Sequence, residues 1–142
     1  MWFILALLSA IFAGAVSVLV KPGLGEGATK ISPNLATAIR MLVVLPLAWT
    51  VVFAEGSFSQ MTRIVPRQWN FLLLSGLATG LSWLFYFFAL AKADATSVAP
   101  VDKSSMLFTF LFAMIFLGET LTWQKTVAGI LVLAALVVTL IK

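Results

Sequence analysis

Three charged residues lie well inside long apolar stretches of this chain. Asp102 and Lys103 are adjacent within residues 95–117, and Arg40 lies within residues 34–53. A charge at the centre of a membrane-spanning helix costs about 2.5–3.5 kcal/mol on insertion scales. A charged side chain in this position must be compensated by an ionic partner or by water, or be retained for a function. These three side chains are therefore the first candidates for a binding or gating site.

Aromatic and hydroxyl residues fall at the same depth as these charges. With 1.5 Å of rise per helical residue, the charges and two aromatic rings lie about 8–13 Å from one membrane face. The two cations suit an anionic group such as a carboxylate, and an indole can stack on a ring or hold a cation. The pattern predicts a site for a small solute, with a zwitterion as one candidate. The candidate residues for substrate binding or gating are Arg40, Trp83, Tyr86, Asp102, Lys103, Ser82 and Ser105.

The same residues also admit purely structural roles. Asp102 could form an ion pair with Arg40 or with a partner chain. The stripes of Ser and Thr, such as the one from Ser75 to Ser82, could form hydrogen bonds between helices. The residues leave open whether Asp102 carries a coupling proton or acts as a fixed anion.

Composition identifies an integral membrane protein. The chain has 142 residues, of which 62% are hydrophobic and 10% charged, and its mean hydropathy is +1.11. Soluble domains are about 45–50% apolar and 25% charged. Cys and His are absent, which excludes disulfides and the usual zinc or haem ligands. We therefore predict no catalytic residue, no metal, no cofactor and no enzyme activity. The scattered basic residues predict no nucleic-acid partner.

Five stretches are long and apolar enough to cross a bilayer, which needs about 20 residues. The fold prediction is an all-α integral membrane protein with one transmembrane domain over residues 1–142. Ser32 followed by Pro33 is typical of a helix start, and Asp94 or Thr96 is the predicted N-cap of the fourth span. The predicted spans are residues 2–20, 34–53, 69–91, 95–117 and 123–141.

Tryptophans mark one end of the spans. Trp2, Trp49, Trp69 and Trp123 all fall at the side that carries the N-terminus, where an interfacial aromatic belt belongs. Trp83 is the exception, because it lies inside the third span. The four are interpreted as anchors, and Trp83 as a site residue.

The charges in the loops do not determine the orientation of the chain in the membrane. Arg63, Arg67 and Lys125 lie at the N-terminal side, and the opposite side has four lysines. The positive-inside rule needs a bias of Lys and Arg between the two sides. Three against four is too small a bias, so the sequence predicts insertion in both orientations. The four lysines are Lys21, Lys30, Lys92 and Lys142.

The chain resembles a single EamA-type domain of the drug/metabolite transporter superfamily over its whole length. The third and fourth spans, through Gly118-Glu119, carry the most specific part of the resemblance. The matching residues are 34–37 (Asn-Leu-Ala-Thr), Arg40, 75–80 (Ser-Gly-Leu-Ala-Thr-Gly), Trp83, Tyr86, Ala89, Leu90, Ala95, Val98, Ala99, Pro100, Asp102, Lys103, Phe116, Leu117, Gly118, Glu119, Leu121 and Gly129.

The resemblance implies one five-helix repeat of a transporter in the cytoplasmic (inner) membrane of a prokaryote. Larger members carry two such repeats in inverted topology around a central cavity, which supports alternating access. One repeat implies completion as an antiparallel homodimer. The related small multidrug-resistance proteins use a Glu in their first span, but the first span here has no acidic residue, so their mechanism does not carry over.

Two other functions remain open at this stage. The chain could be a non-transporting membrane subunit or one half of a heterodimer, in which case the polar layer is structural. It could instead be a flippase for lipids or lipid-linked sugars, with a groove open to the bilayer.

Dual insertion is directly testable with reporters fused to the C-terminus. A cytoplasmic fluorescent protein and a periplasmic phosphatase should both be active, because the loop charges are balanced. Replacing Arg63 and Arg67 with Gln should leave one reporter active, since the count of basic loop residues then becomes one against four. A wild-type chain in which a single reporter is active would contradict the prediction.

Overall fold

The computed structural model describes residues 1–141, so the predicted loop charge Lys142 lies outside the described residues. All regular structure in the described part is helical. Two 3₁₀ segments, Gly27–Thr29 and Ser57–Arg63, lie in the first two loops. The α-helices are α1 (Trp2–Gly23), α2 (Pro33–Ala54), α3 (Pro66–Leu90), α4 (Ala95–Lys103), α5 (Ser105–Leu117) and α6 (Trp123–Leu140).

The prediction of five membrane-spanning segments is confirmed. The described residues contain five segments of sufficient length and hydropathy, with α4 and α5 counted together as residues 95–117. Two boundaries differ from the prediction by three residues, and the others agree to within one. The first helix continues through Pro22 to Gly23, and the third begins at Pro66 rather than at residue 69. A proline in the first turn lacks only an N–H that has no partner within the helix.

The predicted helix starts are largely correct. The Ser32 hydroxyl accepts a hydrogen bond from the Leu35 N–H at 3.1 Å, with Pro33 as the first helical residue. Asp94 is the N-cap of α4, but its side chain makes no capping bond. Its backbone carbonyl instead accepts from the N–H of Val98 at 3.0 Å. A local side-chain cap therefore accounts for the start of α2 but not for that of α4.

The fourth span is not one continuous helix, which corrects the prediction. It breaks at Ser104, between α4 and α5. The Ser104 N–H bonds to the Val101 carbonyl at 3.1 Å, and the Ser104 hydroxyl donates to the same carbonyl at 2.7 Å. The next bond, from Leu107 N–H to the Ser104 carbonyl, also spans three residues. The serine thus tightens the backbone into a 3₁₀-like turn, beside Asp102 and Lys103.

The chain divides into two compact units, Leu19–Ala91 and a second one of Met1–Val18 with Lys92–Lys142. In Leu19–Ala91, α2 packs against α3 and against the Ser57–Arg63 segment. In the other unit, α6 packs against α4 and α5.

Small residues permit the close packing in the second unit. Gly129 of α6 is buried. A Cβ atom there would lie 3.4 Å from a methyl carbon of Leu107 and 3.7 Å from the ring of Phe110. This glycine therefore lets α6 approach α5 at ordinary van der Waals distance.

Most of the apolar surface stays uncovered within one chain. In the most apolar window of each span, only 0% to 11% of residues are buried. Phe87 and Leu90 of α3 are the largest fully buried side chains, at 0% exposure. Lipid or another chain must cover the remaining apolar surface, because water cannot do so without a large cost in free energy.

The first loop depends on a glycine that has no substitute. Gly25 has φ +69°, and a Cβ atom there would lie 2.5 Å from the Thr29 carbonyl oxygen. Gly56 has nearly the same φ, +68°, but open space around its missing Cβ. An alanine at Gly56 would suffer backbone strain alone, whereas an alanine at Gly25 would suffer both backbone strain and a steric clash.

Replacing each glycine with alanine should destabilise the chain to different extents. Gly56→Ala should cost about 1–2 kcal/mol, the penalty of a left-handed backbone with a Cβ. Gly25→Ala should cost more, because the clash adds to that penalty. Thermal unfolding in detergent gives the comparison, and equal melting temperatures for the two variants would contradict the described loop.

Candidate functional site

One face of α3 forms the inner wall of the Leu19–Ala91 unit. Leu90 and Phe87 are buried, and Trp83 and Leu84 are half-buried. Their spacing of three and four residues places them on one side of a helix. Trp83 and Phe87, four residues apart, present two aromatic rings one helical turn apart.

Arg40 of α2 lies against these two rings. Its guanidinium carbon is 5.5 Å from the ring centre of Trp83 and 4.6 Å from that of Phe87. Cation–π contacts contribute about 0.5–1 kcal/mol at exposed sites and about 2 kcal/mol or more when desolvated. The rings therefore hold the cation in place without consuming its hydrogen-bond donors.

One of those donors is left over. The Nη1 atom of Arg40 is buried and has no hydrogen-bond partner among the described residues. A guanidinium carries five N–H donors and no acceptor, and leaving a buried charged donor unsatisfied costs more than about 1–3 kcal/mol. The Nη1 atom of Arg40 can therefore donate to an acceptor such as a carboxylate oxygen.

An open, mostly apolar cavity of about 520 Å³ lies next to this cluster. Trp83 lines it from α3 and Thr37 and Met41 line it from α2. Gly76 and Gly80 form part of its floor, where the absence of side chains leaves space. Trp83 thus faces both the Arg40 cation and the cavity, so a solute there could contact both.

Two threonine hydroxyls that line this cavity bond within their own helices. Thr37 donates to the Pro33 carbonyl and Thr79 donates to the Ser75 carbonyl, each at 2.9 Å and within its own helix. Thr79 belongs to the predicted stripe from Ser75 to Ser82, and within the single chain its hydroxyl bonds to its own helix. A threonine that bonds back four residues satisfies its own donor, so it needs no partner helix.

Tyr86 and Ser82 differ in their surroundings. Tyr86 is half-buried, and its ring centre lies 5.9 Å from that of Phe87, the ring that Arg40 contacts. Ser82 is exposed on the surface of the single chain. The structure thus brings Tyr86, but not Ser82, into the Arg40 cluster.

Asp102 and Lys103 pair with each other at the end of α4. The Lys103 Nζ atom lies 3.3 Å from Asp102 Oδ2, and the side chains are 62% and 33% exposed, respectively. Ser105, the first residue of α5, is exposed and its carbonyl accepts from the Thr109 hydroxyl at 3.0 Å. These residues belong to the Lys92–Lys142 part of the chain, and Arg40 belongs to the other unit. Because the pair is partly exposed on the single chain, a solute or a partner chain can reach it.

Sequence reasoning missed two contacts. Phe87 did not stand out among many phenylalanines, although its position four residues after Trp83 was a usable signal. Lys21, interpreted as a loop charge, donates from Nζ to the Leu90 carbonyl at 2.9 Å. It caps the C-terminus of α3, where a cation is favoured. Among residues 1–141, no group of three His, Cys, Asp or Glu side chains could hold a metal ion.

Comparison with known proteins agrees with this architecture. The EamA-like transporter family matches residues 1–141. A protein of Sinorhizobium sp, named "Uncharacterized transporter in cobO 3'region", is 45% identical over 120 residues, covering 84% of this chain and 82% of the relative. No solved structure gives a significant match. With its five apolar spans, this chain is a multi-pass integral membrane protein that belongs to the EamA-like transporter family.

Proposed function

We propose that the chain carries a small metabolite or drug-like solute across the membrane by alternating access, as an antiparallel homodimer. Family membership supports transport in general. The observation that carries the proposal is Arg40, whose buried Nη1 atom has no hydrogen-bond partner among residues 1–141. A charged residue inside a membrane span is costly, and such a residue usually indicates a functional site.

The chemistry around Arg40 favours a solute with an anionic group. A carboxylate accepts two parallel hydrogen bonds from a guanidinium, and such charge-assisted bonds are about twice as strong as neutral ones. The rings of Trp83 and Phe87 occupy one side of the cation and offer an apolar surface beside it. A small carboxylate with an apolar body, such as an amino acid, suits both.

Asp102 and Lys103 are proposed as the second polar element, for binding or for gating. They pair across a short distance, are partly exposed, and adjoin the break at Ser104. A partly exposed pair beside a helix break is open to other partners. Asp102 could then meet the ammonium group of a zwitterion, or the pair could open as a gate.

The proposed antiparallel dimer pairs this five-span repeat with an inverted copy of itself. The chain has five spans, whereas transporters with inverted repeats place their site between two oppositely oriented copies. Balanced loop charges support insertion in both orientations. In the proposed dimer the Arg40 cluster occurs twice, once toward each membrane face, and the inner membrane of a prokaryote is the proposed location.

Uptake into proteoliposomes tests the proposal. Purified protein should accumulate at least one member of a panel of labelled amino acids and small carboxylates. Arg40→Ala should lower that uptake about tenfold or more, since a hydrogen bond to a charged group contributes about 1.5–3 kcal/mol. Asp102→Asn should also lower it.

Arg67→Ala is the matched control. Arg67 also lies over an aromatic ring, with 6.0 Å between its guanidinium carbon and the ring centre of Phe71, but at the other end of α3. Its loss should leave uptake near the wild-type rate. Normal uptake by both Arg40→Ala and Asp102→Asn would show that the site is assigned wrongly. A wild-type protein that moves none of the panel would favour the non-transporting subunit.

A further inference from the structure

A second cavity lies at the opposite end of α2 and α3 from Arg40. Its volume is about 660 Å³, and it is open on one side. The Ser57–Arg63 segment folds between the end of α2 and the start of α3 to form one wall. Trp49 is nine residues beyond Arg40 on α2, or about 13 Å along the helix axis. The cavity is therefore distinct from the proposed solute site.

Aromatic side chains set the depth of this cavity in the membrane. Trp49 and Trp69 both line it, and tryptophan is enriched where the acyl chains meet the headgroups. The ring of Phe58 lies 6.0 Å from that of Trp49 and 5.4 Å from that of Phe53, centre to centre. The loop is thus held against α2 by stacked rings, and the cavity opens at headgroup level.

The polar lining of the cavity carries one cation, Arg63, and the neutral side chains of Ser57, Gln60 and Gln68. Arg63 lines it, and its guanidinium makes no hydrogen bond or ion pair with the described residues. Gln68 uses its amide oxygen to accept from the Val65 N–H at 3.0 Å, which leaves its NH₂ group as a donor. No carboxylate lines the cavity. The nearest acid along the chain, Glu55, is hydrogen-bonded by the Ser57 hydroxyl at 3.4 Å.

We propose that this cavity binds the headgroup of an anionic phospholipid. The phosphate would accept from Arg63 and Gln68, and the upper acyl chain would lie along Trp49 and Trp69. Basic pockets between spans recognise lipid phosphates in this way. The apolar aromatic wall selects an amphiphile over a free anion, since inorganic phosphate would gain nothing from two indoles. This site does not depend on solute transport through the Arg40 cluster.

Native mass spectrometry of the purified assembly tests the proposal. Protein from nanodiscs that mix phosphatidylglycerol and phosphatidylcholine should retain phosphatidylglycerol preferentially. Arg63→Gln should weaken that retention about fivefold, as expected for one basic side chain at an anionic surface. Arg67→Gln, four residues on and outside the cavity lining, should retain the lipid as the wild type does.

Three results would overturn the proposal. One is equal retention of the two lipids by the wild type, which needs no variant and so does not depend on how Arg63→Gln folds. Another is an equal loss of phosphatidylglycerol retention in Arg63→Gln and Arg67→Gln, which would indicate that the lipid responds to surface charge in general. The third is displacement of the lipid by millimolar inorganic phosphate, which would indicate a free-anion site.

Discussion

The absence of hydrogen-bond partners in the bilayer core is the constraint on which this structure depends. Each polar group that enters a span must be satisfied by the protein itself or by a ligand. Arg40 meets this constraint only in part. The rings of Trp83 and Phe87 stabilise its charge, but one buried nitrogen has no acceptor among the described residues. The proposed function assigns that acceptor to a solute in the nearby cavity.

Other polar side chains in and near the spans form hydrogen bonds within the chain. Thr37 and Thr79 bond to carbonyls of their own helices. Lys21 caps the end of α3. Against this background an unsatisfied buried donor is an exception, and exceptions of this kind are expected at functional sites.

Hydropathy predicted the fold well because bilayer thickness sets span length, and local capping chemistry predicted starts such as that at Ser32. The break at Ser104 was missed, because it arises from hydrogen bonds of one serine that periodicity does not detect. For the site, helical depth correctly suggested that Arg40 and Trp83 could meet. Phe87 and the bond from Lys21 to Leu90 were missed, since they depend on how α1, α2 and α3 come together. The roles of Ser82 and Ser105 stay predictions, because both are exposed in the single chain.

A structure of the assembled protein, determined with a transported amino acid or carboxylate bound, tests the central claim most directly. The account predicts two chains in opposite orientations, with an anionic group of the solute within hydrogen-bond distance of Arg40. Parallel chains, or an Arg40 guanidinium fully bonded to a carboxylate of the partner chain with the solute elsewhere, would contradict it.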